Sequence, residues 1–185
     1  MATKINSNEL LNELQATLTK CTNTVNDFLK LDANLLNQKT SKEAWSALEC
    51  IEHLNLYADF YIPKFIDIVN KATAGTAVDT FSSGFLGGWA AKSMKVTNGK
   101  AITKMKTFKS KNPINSILTT ATIDKFLQQQ QQLELVLAKA AAINLNKNRC
   151  ATTLGFFISF KFGDILQFII YHIERHIIQA KKATL

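Results

Sequence analysis

The chain holds only three histidines, and two of them stand four residues apart. His172 and His176 lie in the run Asp164–Ala180, D-I-L-Q-F-I-I-Y-H-I-E-R-H-I-I-Q-A. On a helix an i,i+4 pair shares one face, with Cβ atoms roughly 5–6 Å apart. Both imidazoles can then point at one ion, as the paired histidines of helical zinc motifs do. The third, His53, lies in W-S-A-L-E-C-I-E-H. If the three converge, they form a neutral nitrogen set that binds a divalent ion and leaves at least one position for water. That is the arrangement of a catalytic site rather than a closed structural one. Zinc, nickel and iron(II) all accept three nitrogens. The competing reading makes each histidine an ordinary core or boundary residue. Against it, no histidine is spent elsewhere, and each sits mid-helix beside apolar neighbours.

The elements that would position these residues are helices. Asn6-x-x-Glu9 resembles a capping box. Leu11, Leu14, Leu18, Cys21, Val25 and Phe28 then repeat at spacings of three and four, predicting an amphipathic helix from about Ser7 to Leu31. Polar residues from Asp32 to Thr40 break it. Ser46-x-x-Glu49 is a capping box flanked by Trp45 and Cys50, and it opens a second helix running on to Val69 with a bend at Pro63. Ala72–Asn112 is irregular, with a short helix expected at Phe85–Met94. Asn112-Pro113 reads as the start of a third helix reaching about Ala142, with Ile117, Ala121, Phe126, Leu133, Leu137 and Ala140 along it. The run Gln128–Gln132 reads as its solvated face. After an aromatic-rich connection, Cys150–Phe162, Gly163-Asp164 opens the fourth helix. Ile165, Phe168, Ile169, His172, His176 and Gln179 share a face there.

Four long helices and no convincing strand pair predict an all-α fold, a four-helix bundle forming one domain over residues 1–185. The second-to-third connection is long enough to return along a helix, so up-down-down-up topology is expected. His53 would lie roughly 10 Å into the second helix and His176 about 9 Å from the end of the fourth. In antiparallel neighbours those depths coincide.

Composition narrows the class. Apolar content of 46% and charged content of 19% fit a globular protein, and two prolines and seven glycines leave room for long helices. No secretory signal is read at the start and no run of about 18 apolar residues occurs. The nearest, Leu154–Tyr171, is interrupted by Lys161 and Asp164. A cytoplasmic protein without a membrane span is expected, and Cys21, Cys50 and Cys150 then read as buried free thiols. The net charge of +8 is concentrated in Lys92, Lys95, Lys100, Lys104, Lys106, Lys109 and Lys111. Such a run can meet phosphates. It lacks interleaved aromatics and a recognition motif, so a nucleic-acid role ranks last and a solvated loop first.

Taken in order, Trp45-Ser46-x-x-Glu49-x-x-x-His53, Phe108-Lys109-x-x-x-Pro113 and Gly163-Asp164-x-Leu166-x-Phe168-x-x-x-His172-x-x-Arg175-His176-x-x-Gln179 resemble the DinB-like superfamily, which includes the YfiT-type proteins. The resemblance covers nearly the whole chain. It implies an up-down-down-up bundle with a three-histidine metal site, usually nickel or zinc, carried here by His53, His172 and His176. It also implies a metal-dependent thiol S-transferase acting with a low-molecular-weight thiol such as bacillithiol, mycothiol or glutathione, or a metal-dependent hydrolase. Glu49 and Gln179 are candidates to orient an imidazole, with the cap the stronger role for Glu49. Arg175 and Tyr57 are candidates to meet a small-molecule substrate. The alternative function is a non-catalytic bundle, as a monomer or homodimer, that binds a ligand or partner and keeps its histidines for packing.

Overall fold

The computed structural model describes residues 4–97, 100–101 and 106–185. Helix α1 (Ser7–Phe28) begins where Asn6 caps it, its side-chain oxygen accepting the N–H groups of Asn8 at 2.9 Å and Glu9 at 3.1 Å. The stripe from Leu10 to Phe28 is buried. The helix ends short of Leu31, because the N–H groups of Leu29, Lys30 and Leu31 turn back three residues in a tightened exit. The polar stretch that follows is not a plain break. Asp32 accepts the Asn34 N–H at 2.7 Å and starts a short helix, α2 (Ala33–Asn37), which buries Leu36.

Helix α3 (Ala47–Lys71) carries the predicted capping box in full. The Glu49 N–H donates to Ser46 Oγ at 3.1 Å, and the Ser46 N–H donates to Glu49 Oε2 at 2.9 Å. Pro63 lies inside the helix without ending it. Helix α4 (Phe85–Met94) occupies the span expected for it. Helix α5 (Ala121–Ala140) corrects the expected third helix, since it starts eight residues beyond Pro113. Pro113–Ser116 is instead a turn closed by the Ser116 N–H on the Pro113 carbonyl, with Asn115 at φ 64°. A side chain in that left-handed region interrupts helical geometry, and Ile117, expected on a packed stripe, is fully exposed. The glutamine run is a solvated face only in part, with Gln128, Gln131 and Gln132 exposed. Gln129 and Gln130 are buried, and Gln129 Nε2 donates to Asp59 Oδ1 at 2.8 Å.

Helix α6 (Phe162–Ala183) begins one residue before Gly163. Ahead of it, the predicted connection is a β-hairpin, β5 (Arg149–Thr152) against β6 (Gly155–Lys161). Strand pairs, which the sequence pattern does not predict, are therefore present but short: β1 (Lys4–Asn6) pairs with β2 (Thr80–Ser82), and β3 (Val96–Thr97) with β4 (Lys100–Ala101).

Side-chain pairs give the helix directions. Asn55 bonds Thr122, Asp59 pairs with Lys125 and Asn70 with Lys139, so α3 and α5 run parallel. Phe65 packs on Phe162 while His53 meets His172 and His176, so α3 and α6 are antiparallel. The β1–β2 ribbon joins the starts of α1 and α6, because Phe81 of β2 lies against Gly163, and Tyr171 reaches Glu13 further along at 2.8 Å. The four long helices therefore form an up-down-down-up bundle, as expected.

Gly163 is where the ribbon meets that bundle. A Cβ there would stand 2.5–2.8 Å from the Phe81 ring, which is fully buried. Replacing Gly163 with Ala should cost about 1–3 kcal/mol, the usual range for overpacking. Urea unfolding of the variant against wild type checks it.

Candidate metal centre

The antiparallel pairing of α3 and α6 brings the early part of α3 level with the later part of α6, and the three histidines meet there. Ring centroids stand 5.0 Å apart for His53–His172, 4.5 Å for His53–His176 and 4.6 Å for His172–His176. One nitrogen from each ring lies within 4.8 Å of the others. All three residues are buried.

Two neighbouring groups set the tautomers. The Lys111 carbonyl lies 2.6 Å from His53 Nδ1 and can only accept, so Nδ1 carries the proton and Nε2 keeps its lone pair. The Gln179 amide oxygen lies 3.0 Å from His176 Nδ1 and leaves Nε2 of that ring bare in the same way. His53 Nε2 and His172 Nε2 are 3.1 Å apart. Two nitrogens each bonded to a tetrahedral ion near 2.05 Å stand roughly 3.3 Å from one another, so this pair already has a chelating separation.

Burial also keeps the rings uncharged. Desolvation lowers His53 to about 4, against the Lys111 hydrogen bond that favours the charged form. It lowers His176 to about 3, with the charges of His53 and Arg175 adding to the effect. His172 is held well below the usual histidine range by burial and by its two partner rings. In the metal-free site a His172 Nε2–H can donate to His53 Nε2, a hydrogen bond that a divalent cation would replace, and an all-nitrogen set suits a borderline transition ion. The residues present therefore fit a metal ion.

The wider surroundings differ from the sequence-based expectation in instructive ways. Glu49 was a candidate to orient His53, but the atom on His53 Nδ1 is the Lys111 carbonyl. Both Glu49 oxygens are engaged elsewhere, by the Ser46 N–H, the Asn115 N–H and Lys39 at 2.8 Å. Gln179 does reach His176. Tyr57 packs its ring 5.0 Å from His53 and 4.7 Å from His172, and burial pushes its hydroxyl up to about 12. Arg175, half-buried, donates weakly to the Ser93 carbonyl at 3.4 Å. Tyr57 and Arg175 both line a cavity of about 150 Å³ that contains the three histidines.

Other contributors were not assigned to the site from sequence. Trp45 lies 4.7 Å from His53 and 5.6 Å from His176, fixed by its Nε1–H on Asn112 Oδ1 at 3.1 Å. Phe168 stacks on His172. Trp89, Ser93 and Met94 of α4, Phe108, and Leu154 of the hairpin turn complete much of the wall. The signal was there in part: Trp45 and Phe108 sit in the same ordered motif set as the histidines.

The lysine-rich segment is not one uniform solvated patch. Lys95 pairs with Glu13 at 3.3 Å and sits over the Tyr171 ring, and Lys111 Nζ donates to the Leu56 carbonyl at 2.5 Å. Lys92, Lys106 and Lys109 are exposed. Lys104 lies outside the described residues. The three cysteines are free and buried, and desolvation pushes each thiol up to about 12. None is a thiolate at neutral pH. No helix among the described residues is long and apolar enough to cross a membrane.

The model of the DinB superfamily matches residues 17–180, and the chain belongs to that superfamily. No curated protein and no solved structure matches it.

Two outcomes follow from this geometry. Replacing Gln179 with Leu removes the acceptor on His176 at an exposed position, and metal affinity should fall about 10–100-fold with the thermal midpoint little changed. Calorimetric zinc titration checks it. In metal-free protein the unfolded chain binds more protons than the native one between the depressed native values and about 6.5. Stability should therefore be flat above about pH 7 and fall as the pH drops from 6.5 towards 4, by up to about 1.4 kcal/mol per pH unit for each histidine. A chemical-denaturation series across pH would show this, and His53→Gln should flatten the slope.

Proposed function

We propose that the protein is a metal-dependent enzyme of thiol S-transferase or hydrolase type, with His53, His172 and His176 as ligands to nickel or zinc. The observation that carries the reading is the pair of tautomer-fixed imidazoles, whose bare Nε2 atoms share a buried cluster with His172 at the wall of a cavity. When bound, a divalent ion supplies Lewis acidity that lowers the pKa of a thiol or a water.

The chain's own side chains do the rest. The Lys111 carbonyl and Gln179 hold two rings in register, which keeps the donor set preorganised. Trp45 and Phe168 cover the rings and keep water away from them. Tyr57, protonated at neutral pH, lines the cavity with its hydroxyl bonded to Thr153, and it would meet a substrate chiefly through its ring. Arg175 stays cationic there despite the lowering effect of burial, and it is suited to an anionic group. Because all three cysteines are buried and protonated, the thiol of a transfer reaction comes from a small molecule and not from the chain.

The test begins with metal content. Protein purified without a metal-chelating column should carry, or take up, about one equivalent of nickel or zinc per chain. His172→Ala should abolish uptake, and chelation should abolish thiol transfer or ester cleavage. Less than about a tenth of an equivalent, with no rise on adding either ion, would overturn the proposal.

A further inference from the structure

We infer that the outer face of α4 and the adjoining β5–β6 hairpin form a docking surface for an anionic phospholipid bilayer, on which the protein lies without crossing it.

Helix α4 supplies the first observation, because it is apolar on both sides. Gly87, Ala90, Ala91 and Met94 are buried. Phe85, Leu86 and Trp89, on the outer side, are 90%, 62% and 65% exposed. A helix that is apolar all round is normally covered all round. The hairpin extends the same face. Ile158 of β6 borders one groove with Phe85 and Leu86, and Leu154 at the turn lines a cavity with Trp89. Both hairpin residues are exposed as well. Large apolar side chains gathered in this way mark an interaction site, whereas single ones scattered over a surface do not.

Charge decides the partner. Arg149 and Lys161 border the groove beside Phe85, Leu86 and Ile158. Arg149 donates to Ser159 and Lys161 to the Ser82 carbonyl, neutral acceptors that leave both positive charges in place. Asp164, the one carboxylate among the described groove residues, is fully buried and accepts the Gly84 N–H at 2.9 Å. Lys92 is exposed one turn beyond Trp89. The two stretches that build this face, Thr80–Ile123 and Leu135–Gly163, contain no acidic residue. A second copy of the chain would set these cations against one another. An anionic bilayer sets them against phosphate and carboxylate headgroups, where each cation near the surface strengthens binding about fivefold. The apolar chains point to lipid rather than to an acidic protein. A fluid bilayer takes up projecting rings without the fixed shape complementarity that a stable protein interface of about 1,200–2,000 Å² must supply. Tryptophan with phenylalanine, leucine and lysine is also the composition of side chains lodged at headgroup level.

Co-sedimentation of the full chain with vesicles tests the inference. Vesicles of phosphatidylcholine and phosphatidylserine in equal parts should bind at least about tenfold tighter than phosphatidylcholine alone, and added salt should weaken that binding. The double variant Phe85→Ser, Leu86→Ser should lose at least about tenfold, and Lys92→Glu more than about fivefold. All three positions are exposed and outside the histidine cluster, so zinc uptake and the thermal midpoint should stay as in wild type. Brominated phosphatidylcholine in the mixed vesicles should quench the fluorescence of wild type and quench Trp89→Phe far less, since Trp45 lies against the histidines. Failure to bind the mixed vesicles overturns the inference and leaves the face to an acidic protein. Equal binding to both vesicle types, or undiminished binding by the double variant, overturns it too. A dimer in lipid-free solution that the double variant dissolves, without vesicle binding by wild type, overturns it in favour of a second copy.

Discussion

The site depends on a helix crossing, the antiparallel contact of α3 with α6. It places residues near the start of one helix level with residues past the middle of the other. His53 and the His172–His176 pair are more than a hundred residues apart in the chain, yet one nitrogen of each lies within 4.8 Å of the others. The contact is fixed at both ends. Phe65 and Phe162 pack at one end, and the Ser46–Glu49 capping box sets where α3 begins at the other. A shift of one residue in α3 would rotate His53 by about 100° away from its partners, given 3.6 residues per turn. Ordinary bundle packing therefore controls whether the three ring nitrogens can share one ion at all.

Burial is what turns that meeting into chemistry. Exposed imidazoles would titrate near the ordinary histidine value and repel one another when charged. Here the loss of solvent holds His53, His172 and His176 neutral, and their outer hydrogen bonds choose which nitrogen is bare. The segments between helices supply the enclosure. The turn at Lys111–Asn112 orients His53 and anchors Trp45, α4 forms one wall, and the β5–β6 turn brings Leu154 to the mouth. A bundle of four helices alone would present the rings to water.

Much of this was legible in the sequence, for a reason that also explains what was not. Helices declare themselves through local spacing, so the stripe of α1, the capping box of α3 and the apolar face of α6 could be read directly. The i,i+4 histidines needed only the geometry of one helix. Glu49 shows the limit of that approach. Its distance from His53 along the helix made it a candidate for the ring, but Ser46, Lys39 and Asn115 occupy it, and two of these are distant partners that no periodicity reveals. The α5 start was misplaced because Asn112-Pro113 satisfies the rules for a turn as well as for a helix, and Asn115 in a left-handed conformation decides between them. The hairpin was hidden by aromatic residues on both sides of β6, which blur the alternation that marks a strand.

The oxygen that holds His53 belongs to the main chain. Every residue type possesses that carbonyl, so point substitution at position 111 cannot delete it, whatever it does to the Nζ contact with Leu56. Its position relative to the ring depends on chain length between Phe108 and Pro113. Divergence by amino-acid replacement would leave this support in place, whereas gain or loss of one residue in that short span would move it out of reach.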